Sequence, residues 1–295
     1  MKNVNYKELD DKSNVLIVYF SGTGCTELVA KSLHEQLSTV ALSVELKRIQ
    51  DYESPARSDF LVICFPVHAF NPPKPVLDWV RDLKQEFSTS TILISVSGGG
   101  SVTPNLACRL PLVRSLKRLG YNVVYEEMIV MPSNWITSTD VNVGATLLEV
   151  LPSKLSKIVH NLKEAKSKRV NPGLLNRLIT FLGRSESIGA KRFGENIYVK
   201  SSCISCGLCV NTCPVMNISF KSKKPVFGLK CIMCLGCIYT CPTQALQPKV
   251  FNSVALNEGF SLKTFKASKP ISDIEEIKNK TRGFLWLGVR RYLIR

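Results

Sequence analysis

The sequence predicts an α/β chain in two parts: a doubly wound, five-stranded parallel sheet in the first half, then a small α+β domain organised by cysteines. Three observations predict it. Apolar runs rich in β-branched residues alternate with stretches of helical periodicity over about 150 residues. A loop of Ser, Thr and Gly joins the first run to the first helix, and eight cysteines repeat one spacing twice.

Residues 15–20 form the first predicted strand, followed at once by Ser21, Gly22, Thr23, Gly24, Cys25 and Thr26. Leu28, Val29, Leu33 and Leu37 then fall near helical spacing. Further strands are predicted at 44–49, 60–65, 91–97 and 123–128, with helices at 75–84 and 104–119 between them. A last helix over 147–168 carries Leu155, Ile158, Val159 and Leu162 on one face. In such a sheet, ligands sit at the carboxyl ends of the strands.

The 21–26 loop directs backbone N–H groups and hydroxyls toward one point at the positive end of a helix, the physical makeup of a phosphate site. It lacks the Lys of the nucleoside-triphosphate loop and the third Gly of the dinucleotide fingerprint, so neither ATP nor NAD is favoured.

The cysteines are Cys203, Cys206, Cys209 and Cys213 followed by Pro214, and Cys231, Cys234, Cys237 and Cys241 followed by Pro242. Each copy reads C-x2-C-x2-C-x3-C-P, the spacing by which bacterial ferredoxins hold 4Fe-4S clusters, whereas zinc modules pair two C-x2-C units. The first residues, with Lys2, Lys7, Glu8, Asp10 and Asp11, lack the apolar core of a signal peptide, and no stretch approaches the roughly 20 apolar residues of a membrane span. A cytoplasmic location is therefore expected, where eleven cysteines argue for metal ligation over disulfides. Cys64 and Cys108 read as core residues. Cys25, beside the loop and a helix start, could gain thiolate character, although a backbone-amide role is preferred.

Charge is unevenly placed. Residues 1–150 carry 14 Lys and Arg against 16 Asp and Glu, whereas residues 151–295 carry 25 against 7, a balance of +18. The back half thus suits an acidic partner, and an acidic redox protein is expected. Nucleic acid is not expected, because no recognition module accompanies the charge.

The first strand running into Ser21-Gly22-Thr23-Gly24-Cys25-Thr26 resembles the T/S-x-T-G-x-T loop of the flavodoxin family, and the likeness spans residues 13–165. That resemblance implies bound FMN, with Ser21, Gly22, Thr23, Gly24, Cys25 and Thr26 cradling its phosphate. The flavin ring would lie between Pro66, Val67, His68, Ala69, Phe70 and Asn71 on one side and Ser97, Gly98, Gly99, Gly100 and Ser101 on the other. The chain departs from the family at Cys25, usually Asn, and at the three glycines, where a Tyr is usual. Whether Phe70 or Trp135 supplies an aromatic cover stays open at this point. Neither ring loop holds Asp or Glu, so a flavin there is expected to be a weaker reductant than a typical flavodoxin's.

Residues 195–250 resemble the two-cluster bacterial ferredoxins, in which the fourth cysteine of each run serves the other cluster. That implies one cluster on Cys203, Cys206, Cys209 and Cys241 and a second on Cys231, Cys234, Cys237 and Cys213. Gly207 and Gly236 stand where backbone amides must approach cluster sulfurs.

The expected organisation is a flavodoxin-like FMN domain at 1–168, a connector at 169–194, a ferredoxin-like domain at 195–250 and a basic extension at 251–295. In the connector, Leu174, Leu175, Leu178, Ile179, Phe181 and Leu182 make an amphipathic stretch expected to pack between domains, and 183–194 reads as a loop. The tail from Gly283 to Arg295 is expected to dock on the first domain, with an anionic membrane surface as the alternative. As a whole the chain resembles fused flavodoxin–ferredoxin proteins of anaerobic microbes. The resemblance implies an electron relay between two 4Fe-4S clusters and one FMN, serving a redox partner. An FMN-dependent reductase of a small molecule such as a quinone is the first alternative, and a redox-sensing nucleic-acid-binding protein the second.

Overall fold

A computed structural model of the chain describes residues 6–52, 58–85 and 89–294. Lys2 and Arg295, which entered the reading of the two termini, lie outside the described residues.

Five strands form one parallel sheet: β1 (Asn14–Tyr19), β2 (Ser43–Arg48), β3 (Phe60–Pro66), β4 (Ser90–Ser97) and β5 (Asn122–Val130). Their spatial order is β2-β1-β3-β4-β5, with every pairing parallel. That is the doubly wound order of flavodoxin-like folds. Four helices cover the sheet: α1 (Cys25–Leu37), α2 (Lys74–Arg81), α3 (Leu110–Arg118) and α4 (Val141–Lys163). Alternation along β1 explains the layering. Val15, Ile17 and Tyr19 pack with the Leu33 and Leu37 face of α1 and with Leu155 and Ile158 of α4, whereas Leu16, Val18 and Phe20 pack with Val76 and Val80 of α2 and Leu112 of α3.

Two expected helices differ in extent. The 104–119 stretch splits into a short 3₁₀ turn, Asn105–Ala107, and α3, which starts at Leu110 with Pro111 in its first turn. The last helix runs from 141 to 163, not 147 to 168, because the Asp140 side chain accepts from the backbone N–H groups of Asn142 and Val143 and caps it earlier. Beyond α4, Lys168 instead pairs with β5: its N–H donates to the Val124 carbonyl, and its carbonyl accepts from the Glu126 N–H.

The connector forms two helices, α5 (Leu174–Gly183) and α6 (Glu186–Glu195), so the 183–194 loop expectation is corrected. Packing decides it: Ala190 and Phe193 are buried, and a Cβ on Gly194 would stand 2.3 Å from Cys231 Cβ. The expectation that α5 packs its apolar side between domains is also corrected. Its buried residues are Asn176 and Thr180, while Leu174, Leu175, Leu178, Phe181 and Leu182 are exposed.

The second domain holds β6 (Ile197–Val199), α7 (Leu208–Thr212), β7 (Ile218–Lys221), β8 (Lys224–Phe227), α8 (Gly236–Tyr239) and β9 (Leu246–Pro248), with β6 paired to β9 and β7 to β8, both antiparallel. The remainder wraps back over the sheet domain as α9 (Leu262–Lys266), α10 (Ile274–Lys280) and α11 (Leu287–Ile294). Phe265 fits against Gly144 of α4, and Val289 joins Val130, Val143 and Leu147 in one cluster. The tail is thus docked on the first domain.

Candidate cofactor site

The 21–26 loop reaches the N-terminus of α1, where Gly24 adopts the left-handed conformation (φ 96°) and no side chain caps the helix. The free amides of a 13-residue helix therefore face a small cavity lined by Ser21, Gly22, Thr23, Cys25 and Thr26. Pro66, Val67, His68, Ser97 and Gly98 line its other side. The hydroxyls and amides suit a phosphate. Cys25 carries no thiolate: burial pushes its pKa up to about 12, and its sulfur lies 3.9 Å from the Pro132 carbonyl oxygen.

A second cavity of about 460 Å³ adjoins the first and shares Val67, His68, Ser97, Gly98, Asn134 and Cys234 with it. Ala69, Phe70 and Gly99 also line it, and Trp135 and Trp286 add aromatic walls. Its size and apolar lining fit a flat aromatic ring system such as a flavin's. Ala69 and Phe70 both have positive φ (39° and 64°) in the turn closed by His68 and Asn71, whose backbone N–H groups donate to each other's carbonyls at 2.8 Å. Non-glycine residues in this region are strained, and the contact of Gly183 with the Ala69 carbonyl helps to hold them.

Four of the expected contacts lie elsewhere, among them Ser101, which is exposed and lines neither cavity. Asn71 turns away from the cavity, donating from Nδ2 to the carbonyls of Ala69 and Thr180. Gly100 (φ 75°) packs backbone to backbone on Gly288 of α11, and Gly99 meets the same residue; a Cβ on Gly288 would stand 2.0 Å from the Gly99 oxygen. The glycine loop thus seats the C-terminal helix as well as bordering the cavity. Gly24 serves as the helix turn and is absent from the cavity wall.

Sequence reasoning missed the residues that other segments bring here. Asn134 donates from Nδ2 to Thr23 Oγ1 at 2.7 Å, and Glu186 at the start of α6 is the one carboxylate on the larger cavity's wall among the described residues. Burial raises Glu186 to about 7. His68 is depressed to about 4, because burial outweighs its hydrogen bond to the Ile232 backbone. No local motif marks Glu186; only the fold of α6 brings it in.

The cysteines fall into two cradles. Cys203, Cys206, Cys209 and Cys241 line one small cavity, with Leu208, Phe220 and Leu246 around them. Cys213 lies near enough to Cys231, Cys234 and Cys237 for their charges to interact. Backbone geometry repeats with the cysteines: Ser205, Gly207 and Met216 have positive φ, and so do Met233, Leu235 and Gln244, at the same offset as Cys203 to Cys231. These turns aim N–H groups at sulfur, Asn217 to Cys213 at 3.2 Å, Ala245 to Cys241 at 3.2 Å and Met233 to Cys231 at 3.4 Å. As free thiols, Cys234 is raised to about 12 and Cys237 well above its ordinary value by burial, so metal uptake must release their protons. Four thiols with inward N–H donors fit an iron–sulfur cluster.

A family profile described as a 4Fe-4S dicluster domain matches residues 195–242. The chain thus joins a domain with the flavodoxin-like strand order to one that matches the 4Fe-4S dicluster profile. No curated protein matches the fusion. Among solved structures, the chain is similar to an NAD(P)H:quinone oxidoreductase from Methanothermobacter marburgensis (14% identity, 55% of this chain and 100% of that one, TM-score 0.39). It is also similar to a flavodoxin from Streptococcus pneumonia (16%, 52% and 99%, 0.38) and an FMN-dependent NADH-azoreductase from Bacillus anthracis (12%, 51% and 99%, 0.39). The strand order carries the fold of the first domain; these overlaps add no more. No described helix of the fusion is long and apolar enough to cross a membrane.

The two domains meet at the site itself. A Cβ on Gly22 would stand 2.7 Å from Cys234 Cβ, and one on Gly236 would stand 2.6 Å from the Gly22 oxygen. Tyr239 Oη donates to the Asn134 carbonyl at 2.7 Å and accepts from the Leu256 N–H at 2.9 Å.

Proposed function

We propose that the fusion is an electron relay. One 4Fe-4S cluster is held by Cys203, Cys206, Cys209 and Cys241, a second by Cys213, Cys231, Cys234 and Cys237, and FMN is held in the adjoining cavities. When bound, the clusters supply one-electron transfer and the flavin joins single electrons into pairs.

The observation that carries the reading is the place of Cys234, which lines both the 21–26 cavity and the larger one. A cluster on Cys234 therefore borders any group in those cavities. Gly22 and Gly236 permit this approach, and the chain of hydrogen bonds from Thr23 through Asn134 to Tyr239 fixes it. Ser21, Thr23 and Thr26 bind phosphate at the N-terminus of α1; Phe70, Trp135, Met233 and Trp286 keep water from the larger cavity. The balance of +18 over residues 151–295 suits an acidic redox protein as the external partner.

Anaerobic purification with iron, sulfide and flavin quantification, followed by visible spectra during stepwise reduction, tests the relay. Two clusters and one FMN per chain are expected; absence of flavin or of acid-labile sulfide would overturn it.

A reductase of a small apolar molecule is the second reading, favoured by the width and aromatic walls of the larger cavity. Steady-state turnover with soluble quinones would separate it from a pure carrier.

A further inference from the structure

We propose that α5 is an interfacial helix that docks the fusion on an anionic lipid surface. The helix is inside out. Leu174, Leu175, Leu178, Phe181 and Leu182 fall on one side at helical spacing and are 54–82% exposed, while Asn176 and Thr180, on the opposite side, are buried against the protein. Soluble proteins bury the apolar stripe of a surface helix.

The orientation is enforced. The Thr180 carbonyl accepts from Asn71 Nδ2 at 2.7 Å, and Gly183 lies so close to the Ala69 carbonyl that a Cβ there would stand 2.1 Å from its oxygen. A roll that turned the leucines inward would break this hydrogen bond and force side chains into space that only glycine fits. A contiguous exposed apolar face of this kind marks an interaction surface.

Charge identifies the occupant. Residues 166–192 hold seven Lys and Arg against one Glu. Arg177, Arg184, Lys191 and Arg192 are exposed and have no carboxylate partner among the described residues. Arg177 of α5 and Arg184, its C-cap, border the leucines along one edge, and the Arg184 guanidinium lies 5.6 Å from the Phe181 ring centroid. An apolar stripe edged by arginines matches an acyl boundary below phosphate headgroups, with the long side chains reaching the phosphates. Two copies meeting through this face would bring their arginine rims together, which opposes a dimer. Phe284 and Leu285, 70% and 67% exposed, line the larger cavity, as does Glu186 at the start of α6.

The test is flotation of the full, cluster-loaded chain with phosphatidylcholine vesicles, with and without about a third phosphatidylserine. The unaltered chain should float with the anionic vesicles and lose binding as salt rises. Leu178→Ser with Phe181→Ser, and separately Arg177→Gln with Arg184→Gln, should each weaken flotation about tenfold or more. These side chains are exposed, so iron content, sulfide content and melting temperature should hold. Three results would overturn the proposal: no flotation of the unaltered chain, equal flotation of the variants, or a dimer in light scattering that L178S/F181S dissociates.

Discussion

Gly22 of the 21–26 loop and Cys234 of the second cysteine run touch across the domain interface, with only a hydrogen on the Gly22 side where a Cβ would stand 2.7 Å from Cys234 Cβ. The contact joins the loop proposed to hold phosphate in one domain to the second cysteine run of the other, and four predictions grow outward from it.

Gly22→Ala should overfill the contact and cost about 1–3 kcal/mol in stability. It should also lower the flavin retained per iron on gel filtration. Gly173→Ala is the control, since nothing lies within 4 Å of the position and its φ of −64° accepts a Cβ; its denaturation midpoint should stay level or rise slightly. Equal behaviour of the two variants would show that the contact does not matter.

The crossed assignment of the fourth cysteines makes double substitutions informative. Cys241→Ser with Cys203→Ser strikes one cradle and should lose about half of the iron. Cys241→Ser with Cys231→Ser strikes both and should lose nearly all. Iron and sulfide assays on the two variants decide between crossed and uncrossed ligation, which would give the reverse pattern.

Buried charge should matter more than any surface pair. Arg109 is 1% exposed and Glu126 3%; Arg109 Nε donates to Glu126 Oε2 at 3.3 Å and Nη1 to Ser95 Oγ at 2.6 Å, while Arg169 Nε donates to Glu126 Oε1 at 2.8 Å. Glu126→Ala strands the Arg109 guanidinium without its anion. A loss of about 3–5 kcal/mol is expected, read as a fall in the urea midpoint.

Glu186 sets a stability slope. Its pKa is raised from 4.5 to about 7, so the folded protein holds a proton that the unfolded chain gives up. Its contribution is fully present below about 4.5 and is lost as pH rises to about 7. His68, depressed to about 4, works the opposite way: its contribution is present above 6.5 and lost as pH falls through that range. Glu186→Gln removes only the first effect. The melting temperature of the variant minus that of the unaltered protein should therefore increase from pH 5.5 to 8, and a flat difference would contradict the assignment.

Much of the sheet domain was legible because a strand covered on both faces must be apolar throughout, as in Ile17, Val18, Ile63 and Ile94. Helix ends were less so. Val141, Val143 and Gly144 are poor helix formers that the Asp140 cap and the seating of Phe265 on Gly144 recruit into α4. The helix over 186–195 was hidden for a similar reason, since Gly189 and Gly194 lower its propensity and its packing on Cys231 restores it.

The sequence by itself determined the local chemistry: a hydroxyl- and amide-rich loop at a helix start, and two copies of one cysteine spacing, because each is written in residues close along the chain. Only the tertiary structure decided what those parts face. Cys234 beside Gly22, Glu186 in the cavity wall, Gly288 on Gly100 and the outward leucines of α5 are contacts between segments far apart in the chain or orientations of whole elements. Periodicity marks a stripe on a helix, but the side that turns to solvent is set by partners such as Asn71 and Ala69, which lie more than 100 residues away.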